Sequence, residues 1–380
     1  MRRHPVILVA AALAAGCGSG TPRASLAVKA GSGFADAPAS VVVHTSGNAT
    51  LHASWTADGG HVWRSSVPLH AGTVTLRAPQ FLMTMRPTGP AFKDPFFLPP
   101  LTGPSNVALS VVAGRKTLAR ATLSRRVTPP TVRVRHLTVR RDGIEAWLYM
   151  PRARGRRPAV VAFGGSEGGN SQVGVAATLA GHGYPALALA YFKAPGLPQE
   201  LHDIPLEYFA RAVRMLARMP GVDPRHLVVL GSSRGGELAL LLASTFPRLI
   251  HGAIGLVPSD TVYPAPAANL NAWTLHGKGI PPQLIRVERI SGPVLTAGAG
   301  DDRVWPSASS VRSIEQGLRA HRFRYFHEGV VYPTAGHLIG TALPYLPAST
   351  EESTFGGTPR ANEAAREDLW PRILRYFTRL

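Results

Sequence analysis

The sequence contains one cysteine, Cys17, among 380 residues, so it can form no intrachain disulfide. It is also poor in acidic residues: 22 Asp and Glu stand against 41 Lys and Arg, a formal net charge of +19. No dense basic run carries interleaved aromatic residues. We therefore interpret the charge as scattered and expect no nucleic-acid partner. An anionic partner such as lipid headgroups or an acidic substrate is the alternative.

Motifs for metals and nucleotide cofactors are missing as well. There is no H-E-x-x-H sequence, and no dinucleotide-binding glycine fingerprint follows a first strand. We therefore expect neither a metal nor an organic cofactor. The chain is long enough, and with 45% apolar residues rich enough in core-forming side chains, for two domains with separate cores.

The opening residues are typical of a secretory signal segment: basic residues, a short apolar run, then small residues. The run is too short to cross a bilayer, which needs about 20 residues. The stretch "LAAGC", Leu13–Cys17, resembles the lipobox of bacterial lipoproteins, in which the cysteine is acylated. We therefore expect an exported protein held at the membrane of the cell envelope, with a signal peptide over 1–16, acylation of Cys17 and a tether over 17–25. An ordinary cleaved signal is the alternative.

Residues 26–130 show an alternation of apolar and polar residues in short runs such as "SVVVHTS" and "NVALSVVA". Turn residues separate these runs about every ten residues, a pattern that predicts an antiparallel β-sandwich. The proline-containing stretch "RRVTPPTVRVRH" marks the boundary with a second domain over 131–380. This domain is expected to open with a hairpin whose turn is Asp142–Gly143.

After Pro158 the strands become continuous apolar runs, "AVVAFG", "PALALAYF", "HLVVLG" and "GPVLTAGAG", separated by helical segments. Continuous apolar strands are expected where both faces of a sheet are covered. Strands that alternate with helices predict a mostly parallel sheet with right-handed crossovers.

The pattern G-x-S-x-G occurs twice, around Ser166 and around Ser233. The motif marks a nucleophile only on a sharp strand-to-helix turn, where the serine backbone is strained by about 1–3 kcal/mol. An apolar strand precedes Ser233 and a helical segment follows it, with Gly231 and Gly235 leaving room for the turn. Ser166 instead follows the first long strand, where an α/β-hydrolase layout has an oxyanion loop. We therefore predict that Ser233, and not Ser166, is the nucleophile.

Backbone N–H groups near both serines are candidates for an oxyanion hole. One donor is expected from Gly165 or Ser166, and the other from Arg234 at the N-terminus of the following helix. Glu237 lies one turn further along and is interpreted as an acidic residue in the first turn of that helix.

The acid and the base are expected after the nucleophile, in that order. Asp301 and Asp302 follow a buried strand, at the sheet edge where active sites collect. Either aspartate could instead cap the helix that starts near Pro306. His337 follows by one helix–strand unit in a glycine-flanked loop, and His327, within the strand, is the second candidate.

The stretches "GSSRGGEL", "LALAYF", "DDRVW" and "YPTAGHLI", in this order, resemble the acyl-CoA thioesterase and bile acid-CoA:amino acid N-acyltransferase family. The resemblance implies an α/β hydrolase, a mostly parallel sheet flanked by helices, preceded by an all-β immunoglobulin-like sandwich. It implies Ser233 as nucleophile, His337 as base and Asp302 as acid, because Asp302 keeps the spacing to Trp305. Members that transfer acyl groups to amino acids commonly carry cysteine as the nucleophile, so the serine favours hydrolysis.

We therefore expect a serine hydrolase that cleaves an ester or a thioester through an acyl-serine intermediate. An acyltransferase that passes the acyl group to an amine or alcohol is the alternative. A non-catalytic envelope binding protein that kept the fold is a third interpretation. An exported protein would not meet abundant acyl-CoA, so the expected address argues against CoA in the leaving group.

Overall fold

The computed structural model describes residues 22–89, 95–152, 155–266 and 270–380. The chain forms two compact units. The first comprises the residues through Pro129 together with Pro344–Glu351, and the second comprises Pro130–Leu343 and Glu352–Leu380. The return of Pro344–Glu351 to the first unit was not predicted from the sequence. The predicted signal peptide and the predicted lipidation site, Cys17, lie outside the described residues.

The first unit is built from two antiparallel sheets. One has the order β1-β2-β5, and its strands are β1 (Ala24–Ala30), β2 (Ala39–Thr45) and β5 (Gly72–Arg77). The other has the order β6-β4-β3-β7-β8, with β3 (Ala49–Thr56), β4 (Val62–Leu69), β6 (Arg86–Pro87), β7 (Asn106–Ala113) and β8 (Lys116–Ser124). A short helix, α1 (Ala78–Leu82), connects β5 to β6.

Alternate residues of these strands form one core, as the period of two predicts. Val41 and Val43 of the smaller sheet and Trp55 and Trp63 of the larger sheet are all buried in it. The ring of Phe97 lies 4.6 Å from Trp55 and 5.6 Å from Trp63, measured between ring centroids. The predicted β-sandwich is therefore present.

The second unit contains an eight-stranded sheet with the order β19-β18-β15-β14-β11-β12-β10-β9. The strands from β12 to β19 in this order are parallel, and β10 is antiparallel to both of its neighbours. The bounds are β9 (Val132–Leu137), β10 (Glu145–Pro151), β11 (Arg157–Phe163), β12 (Ala186–Ala190), β14 (Val222–Ser232), β15 (Ala253–Leu256), β18 (Val294–Ala299) and β19 (His327–Tyr332). A small additional sheet consists of β13 (Ile204–Pro205), β16 (Trp273–Leu275) and β17 (Lys278–Gly279).

Helices flank the large sheet. They are α2 (Val139–Asp142), α3 (Val173–Gly181), α4 (Leu206–Ala217), α5 (Arg234–Thr245), α6 (Ser307–Ala320) and α7 (Pro359–Tyr376). Single 3₁₀ turns occur at Val287–Arg289, His337–Thr341, Glu352–Thr354 and Phe377–Arg379. Among the helices of the described ranges, none combines the length and apolar character needed to cross a membrane.

The central strands are buried along most of their length, which explains their continuous apolar sequences. All residues of β12 and β18 are buried, as is Ala159–Phe163 of β11. The order of connection reverses at β11, which has β12 on one side and β14 on the other. Ligand sites in such sheets lie outside the carboxyl ends of the strands at this reversal. The fold therefore directs attention to the segments that follow β11 and β14.

The predicted hairpin at the start of the second unit is correct in its pairing and wrong in its turn. Strands β9 and β10 pair antiparallel, with Leu137 opposite Ala146. The residues before the predicted turn form the helical turn α2 (Val139–Asp142), and Gly143 caps its C-terminus with a φ of 73°. The carboxylate of Asp142 accepts the Thr138 N–H at 2.9 Å, and this bond stabilises the turn.

Substitution of Phe209 tests the packing of the second unit. Its ring is fully buried, with centroids of Phe163, Tyr191 and Trp273 at 5.4, 5.3 and 6.2 Å. We expect Phe209→Ala to lower the free energy of unfolding by about 3–5 kcal/mol in urea denaturation, because it leaves a cavity. Phe326→Ala is the matched control: this ring is 39% exposed, and we expect a change within about 0.5 kcal/mol. Equal losses for the two variants would contradict the packing described.

Candidate active site

Ser233 occupies the sharp turn between β14 and α5, with φ of 58° and ψ of −124°. Residues other than glycine rarely adopt this conformation, which is strained by about 1–3 kcal/mol. Neighbouring backbone holds the turn in place. The Ser233 N–H donates to the Leu256 carbonyl at 2.9 Å, and its carbonyl accepts from Gly236 and Glu237 at 2.8 and 3.1 Å.

The two glycines of the motif are required by close backbone contacts. A Cβ on Gly231 would lie 1.8 Å from the carbonyl oxygen of Gly235, and one on Gly235 would lie 2.2 Å from that of Gly164. A Cβ on Gly165 would lie 2.8 Å from the Cβ of Ser233. The turn after β11 therefore lies directly against the turn that presents Ser233.

The three residues predicted as nucleophile, base and acid form one line of hydrogen bonds. The Nε2 of His337 lies 2.9 Å from the Oγ of Ser233. The Nδ1 of His337 lies 2.9 and 3.0 Å from the two carboxylate oxygens of Asp302. The His337 side chain is 8% exposed and that of Asp302 is 1% exposed. This geometry can move a proton from the hydroxyl to the imidazole while the carboxylate fixes the ring.

The Asp302 carboxylate has further donors. It accepts the Ser307 hydroxyl at 2.5 Å and the Val304 N–H at 2.9 Å. Burial alone would raise the pKa of Asp302, but the hydrogen bond and charge of His337, together with these donors, lower the pKa below its usual value. The carboxylate is therefore ionised at neutral pH and can stabilise a positive charge on His337.

The alternative acid and base have other partners. Asp301 accepts the Gly357 N–H at 2.8 Å, and its side chain is 45% exposed. His327 lies 3.1 Å from a carboxylate oxygen of Glu315 on α6. The sequence left open the choice between Asp301 and Asp302 and between His327 and His337. Of these four residues, Asp302 and His337 are the ones hydrogen-bonded in series to Ser233.

The N–H groups predicted as oxyanion donors differ in their surroundings. Arg234 is the first residue of α5, a position whose backbone N–H has no partner within the helix. The Gly165 N–H donates to the carboxylate of Glu167 at 3.0 Å, a contact that the sequence did not indicate. Ser166 is exposed. Gly165 can serve an oxyanion only after the Glu167 carboxylate moves away.

Two side chains of α7 that the sequence did not single out hold the loop around His337. Asn362 accepts the Gly336 N–H through its Oδ1 at 2.7 Å. Arg366 donates from Nη1 to the Leu338 carbonyl at 3.4 Å. Both side chains are buried. Their spacing of four residues on one helix face is a signal that the sequence contained.

Glu237 is more than an acidic residue in the first turn of a helix, because it is fully buried. It accepts the Trp273 indole N–H at 2.8 Å and pairs with Arg234 at 2.9 Å. Burial raises the pKa of Glu237 to about 7, although Arg234, Trp273 and the Tyr263 N–H all favour the ionised form.

Among the described residues, no group of three or more His, Cys, Asp or Glu side chains is placed to hold a metal ion.

Known proteins resemble this chain along most of its length. The model of the BAAT and acyl-CoA thioester hydrolase C-terminal domain matches residues 204–272 and 268–380. Mouse acyl-coenzyme A thioesterase 6 is 32% identical over 298 residues, which cover 70% of this chain and 69% of the mouse protein. Mouse peroxisomal succinyl-coenzyme A thioesterase is 28% identical over 365 residues, 86% of this chain and 85% of that protein.

Among solved structures, a hyperthermophilic esterase from the archaeon Pyrobaculum calidifontis aligns with a TM-score of 0.39 and 19% identity. The alignment covers 63% of this chain and 86% of the esterase. The length and identity of the match to the mouse thioesterase decide the assignment. The chain belongs to the acyl-CoA thioesterase and bile acid-CoA:amino acid N-acyltransferase family.

Proposed function

We propose that the protein is a serine hydrolase that cleaves an ester or thioester through an acyl-serine intermediate on Ser233. The observation that carries the proposal is the hydrogen-bonded line from the Ser233 hydroxyl through His337 to the buried Asp302 carboxylate. A serine hydroxyl is a weak nucleophile by itself and needs a base within about 3 Å, which the His337 Nε2 supplies.

Acylation begins when the Ser233 Oγ attacks the carbonyl carbon and its proton passes to the Nε2 of His337. The Asp302 carboxylate accepts a hydrogen bond from the Nδ1–H of His337 and stabilises the imidazolium. The carbonyl oxygen becomes an oxyanion next to the N-terminus of α5, where the Arg234 N–H and the positive end of the helix favour negative charge. The carbon–oxygen or carbon–sulfur bond then breaks, and His337 returns the proton to the departing alcohol or thiol.

Deacylation repeats these steps with water. His337 takes a proton from water, the hydroxide attacks the acyl-serine, and the proton returns to the Ser233 Oγ as the free acid leaves. The second oxyanion donor is the Gly165 or Ser166 N–H. The Glu167 carboxylate must leave the Gly165 N–H before that group can donate to the substrate.

The names of the relatives favour a thioester. The two mouse proteins are named for acyl-coenzyme A and succinyl-coenzyme A. The triad itself is compatible with oxygen and sulfur leaving groups, because both depart from the same tetrahedral intermediate. We therefore propose thioesters and activated esters as the substrate class.

Substitution of the two motif serines distinguishes the nucleophile. We expect Ser233→Ala to lower kcat/KM on p-nitrophenyl butyrate by about 10⁴- to 10⁶-fold and to abolish covalent labelling by a fluorophosphonate probe. Ser166→Ala is the matched control, since it keeps the backbone N–H of the exposed rival serine, and it should retain both labelling and most activity. Labelling that persists in Ser233→Ala would show that the nucleophile is elsewhere.

A second pair of variants distinguishes the acid. Asp302→Asn keeps the shape but removes the charge that orients His337, so we expect kcat to fall by about 10⁴-fold at neutral pH. Asp301→Asn can still accept the Gly357 N–H, and we expect less than about a 3-fold change in kcat. Steady-state kinetics on the same ester measures both. Equal losses in the two variants would contradict the role given to Asp302.

We also propose that the chain is exported and anchored in the cell envelope through Cys17, on the support of its opening sequence "MRRHPVILVAAALAAGC". In a bacterial host fed labelled palmitate, the full-length chain should incorporate the label and sediment with membranes. Cys17→Ser should lose the label, whereas Ser19→Ala, two residues further along, should keep it. Unlabelled wild-type protein in the soluble fraction would reject the anchor and leave the hydrolase proposal intact.

A further inference from the structure

An aromatic pair lies beside the base of the proposed triad. The ring of Trp305 is edge-on to the His337 ring, with centroids 6.1 Å apart. The ring of Tyr263 lies next to the Trp305 ring, with centroids 5.7 Å apart. Trp305 is fixed because its indole N–H donates to the Val257 carbonyl at 2.9 Å. The two rings therefore form a continuous apolar surface that leads away from the imidazole.

This surface is open at its outer end. The Tyr263 side chain is 41% exposed, and Val304, which precedes Trp305, is 49% exposed. Both residues belong to segments that follow parallel strands, β15 and β18, at the carboxyl edge of the sheet. Ligand sites are lined mainly by hydrophobic and aromatic side chains, and the Tyr263 and Trp305 rings supply such a lining beside His337.

The backbone of Tyr263 is held by the buried charge pair next to the nucleophile. The Tyr263 N–H donates to the Glu237 carboxylate at 3.3 Å. The Tyr263 carbonyl accepts from the Nη2 of Arg234 at 3.0 Å. Arg234 directly follows Ser233 in the chain, so the position of the Tyr263 ring is tied to the turn that presents the hydroxyl.

The charge pair also has buried partners of its own. The Arg234 guanidinium lies over the Trp273 ring at 5.7 Å from its centroid, and Trp273 donates to Glu237. Buried ion pairs are expensive to desolvate and are weak evidence for stability by themselves. Here Arg234 and Glu237 each form a hydrogen bond with the backbone of Tyr263, which is partly exposed. These two bonds order a surface segment beside the candidate active site.

We propose that Tyr263 and Trp305 form the surface along which the apolar part of the acyl group lies, and that the Arg234–Glu237 pair positions Tyr263 there. The inference rests on the proposed hydrolase function and adds to it a residue that discriminates among acyl groups by the length of their apolar chain. Tyr263 is a specificity residue, and Arg234 and Glu237 are positioning residues.

The test uses p-nitrophenyl acetate, butyrate and octanoate with the full mature chain. We expect kcat/KM of the wild type to rise with chain length. Tyr263→Ala should lose about 10-fold on octanoate and about 2-fold on acetate, because the lost contact scales with the chain that lies on it. Tyr263→Phe keeps the ring and should keep the wild-type dependence on length. Phe326→Ala removes an exposed ring that precedes β19, at the opposite edge of the sheet, and is the control.

Steady-state kinetics on the same esters also tests the positioning role of Glu237. Glu237→Gln should raise KM for octanoate by more than it lowers kcat for acetate, since the acyl surface shifts while the triad stays. The Tyr263 variants decide the proposal even if Glu237→Gln does not fold, because the Tyr263 side chain lies at the surface.

An equal loss on all three esters in Tyr263→Ala, or no loss on any, would overturn the inference. Either result would leave the hydrolase proposal standing, provided that Ser233→Ala remains inactive. Turnover that survives in Ser233→Ala would instead reject the hydrolase proposal itself.

Discussion

The structure of the site depends on one steric constraint: three segments of backbone meet around Ser233 with no space for side chains. Gly231, Gly235 and Gly164 approach one another so closely that a Cβ on either of the first two would overlap a carbonyl oxygen. Within this crowded turn Ser233 has a positive φ of 58°, and its hydroxyl lies 2.9 Å from the Nε2 of His337. The strain is held by hydrogen bonds to β15 and α5, so the reactive geometry exists before any substrate arrives.

Buried polar side chains hold the backbone of two other loops of the candidate site. Asn362 and Arg366 hold the backbone on both sides of His337, and Arg234 and Glu237 hold both backbone groups of Tyr263. In each case a buried charge or amide, costly to place in the interior, is used to order a loop at the carboxyl edge. The loops around His337 and Tyr263 are therefore held by side-chain hydrogen bonds, in addition to the strands from which they leave.

The sequence predicted the elements whose signal is local. The β-sandwich follows from alternation, the parallel sheet from continuous apolar runs, and the Ser233 turn from a strand, a glycine-flanked serine and a helix. It did not predict contacts that depend on a side chain folding back, such as Glu167 on the Gly165 N–H, or Asp142 on Thr138. Nor could it predict that Pro344–Glu351 packs with the first unit, because a short segment carries no periodicity that assigns it to a core.

The proposed triad and the segment that contains Tyr263 are positioned by different parts of the fold. The proposed nucleophile, base and acid follow β14, β19 and β18, and the parallel order of these strands brings them to one edge of the sheet. The segment that contains Tyr263 follows β15, where Val257 has a strained φ of 42° that turns the chain away from the sheet. Among the described residues of that segment, none belongs to a strand of the large sheet, and the Tyr263 backbone is held by Arg234 and Glu237 instead. The position of the Tyr263 ring therefore depends on side-chain hydrogen bonds, whereas the proposed triad depends on the order of strands in the sheet.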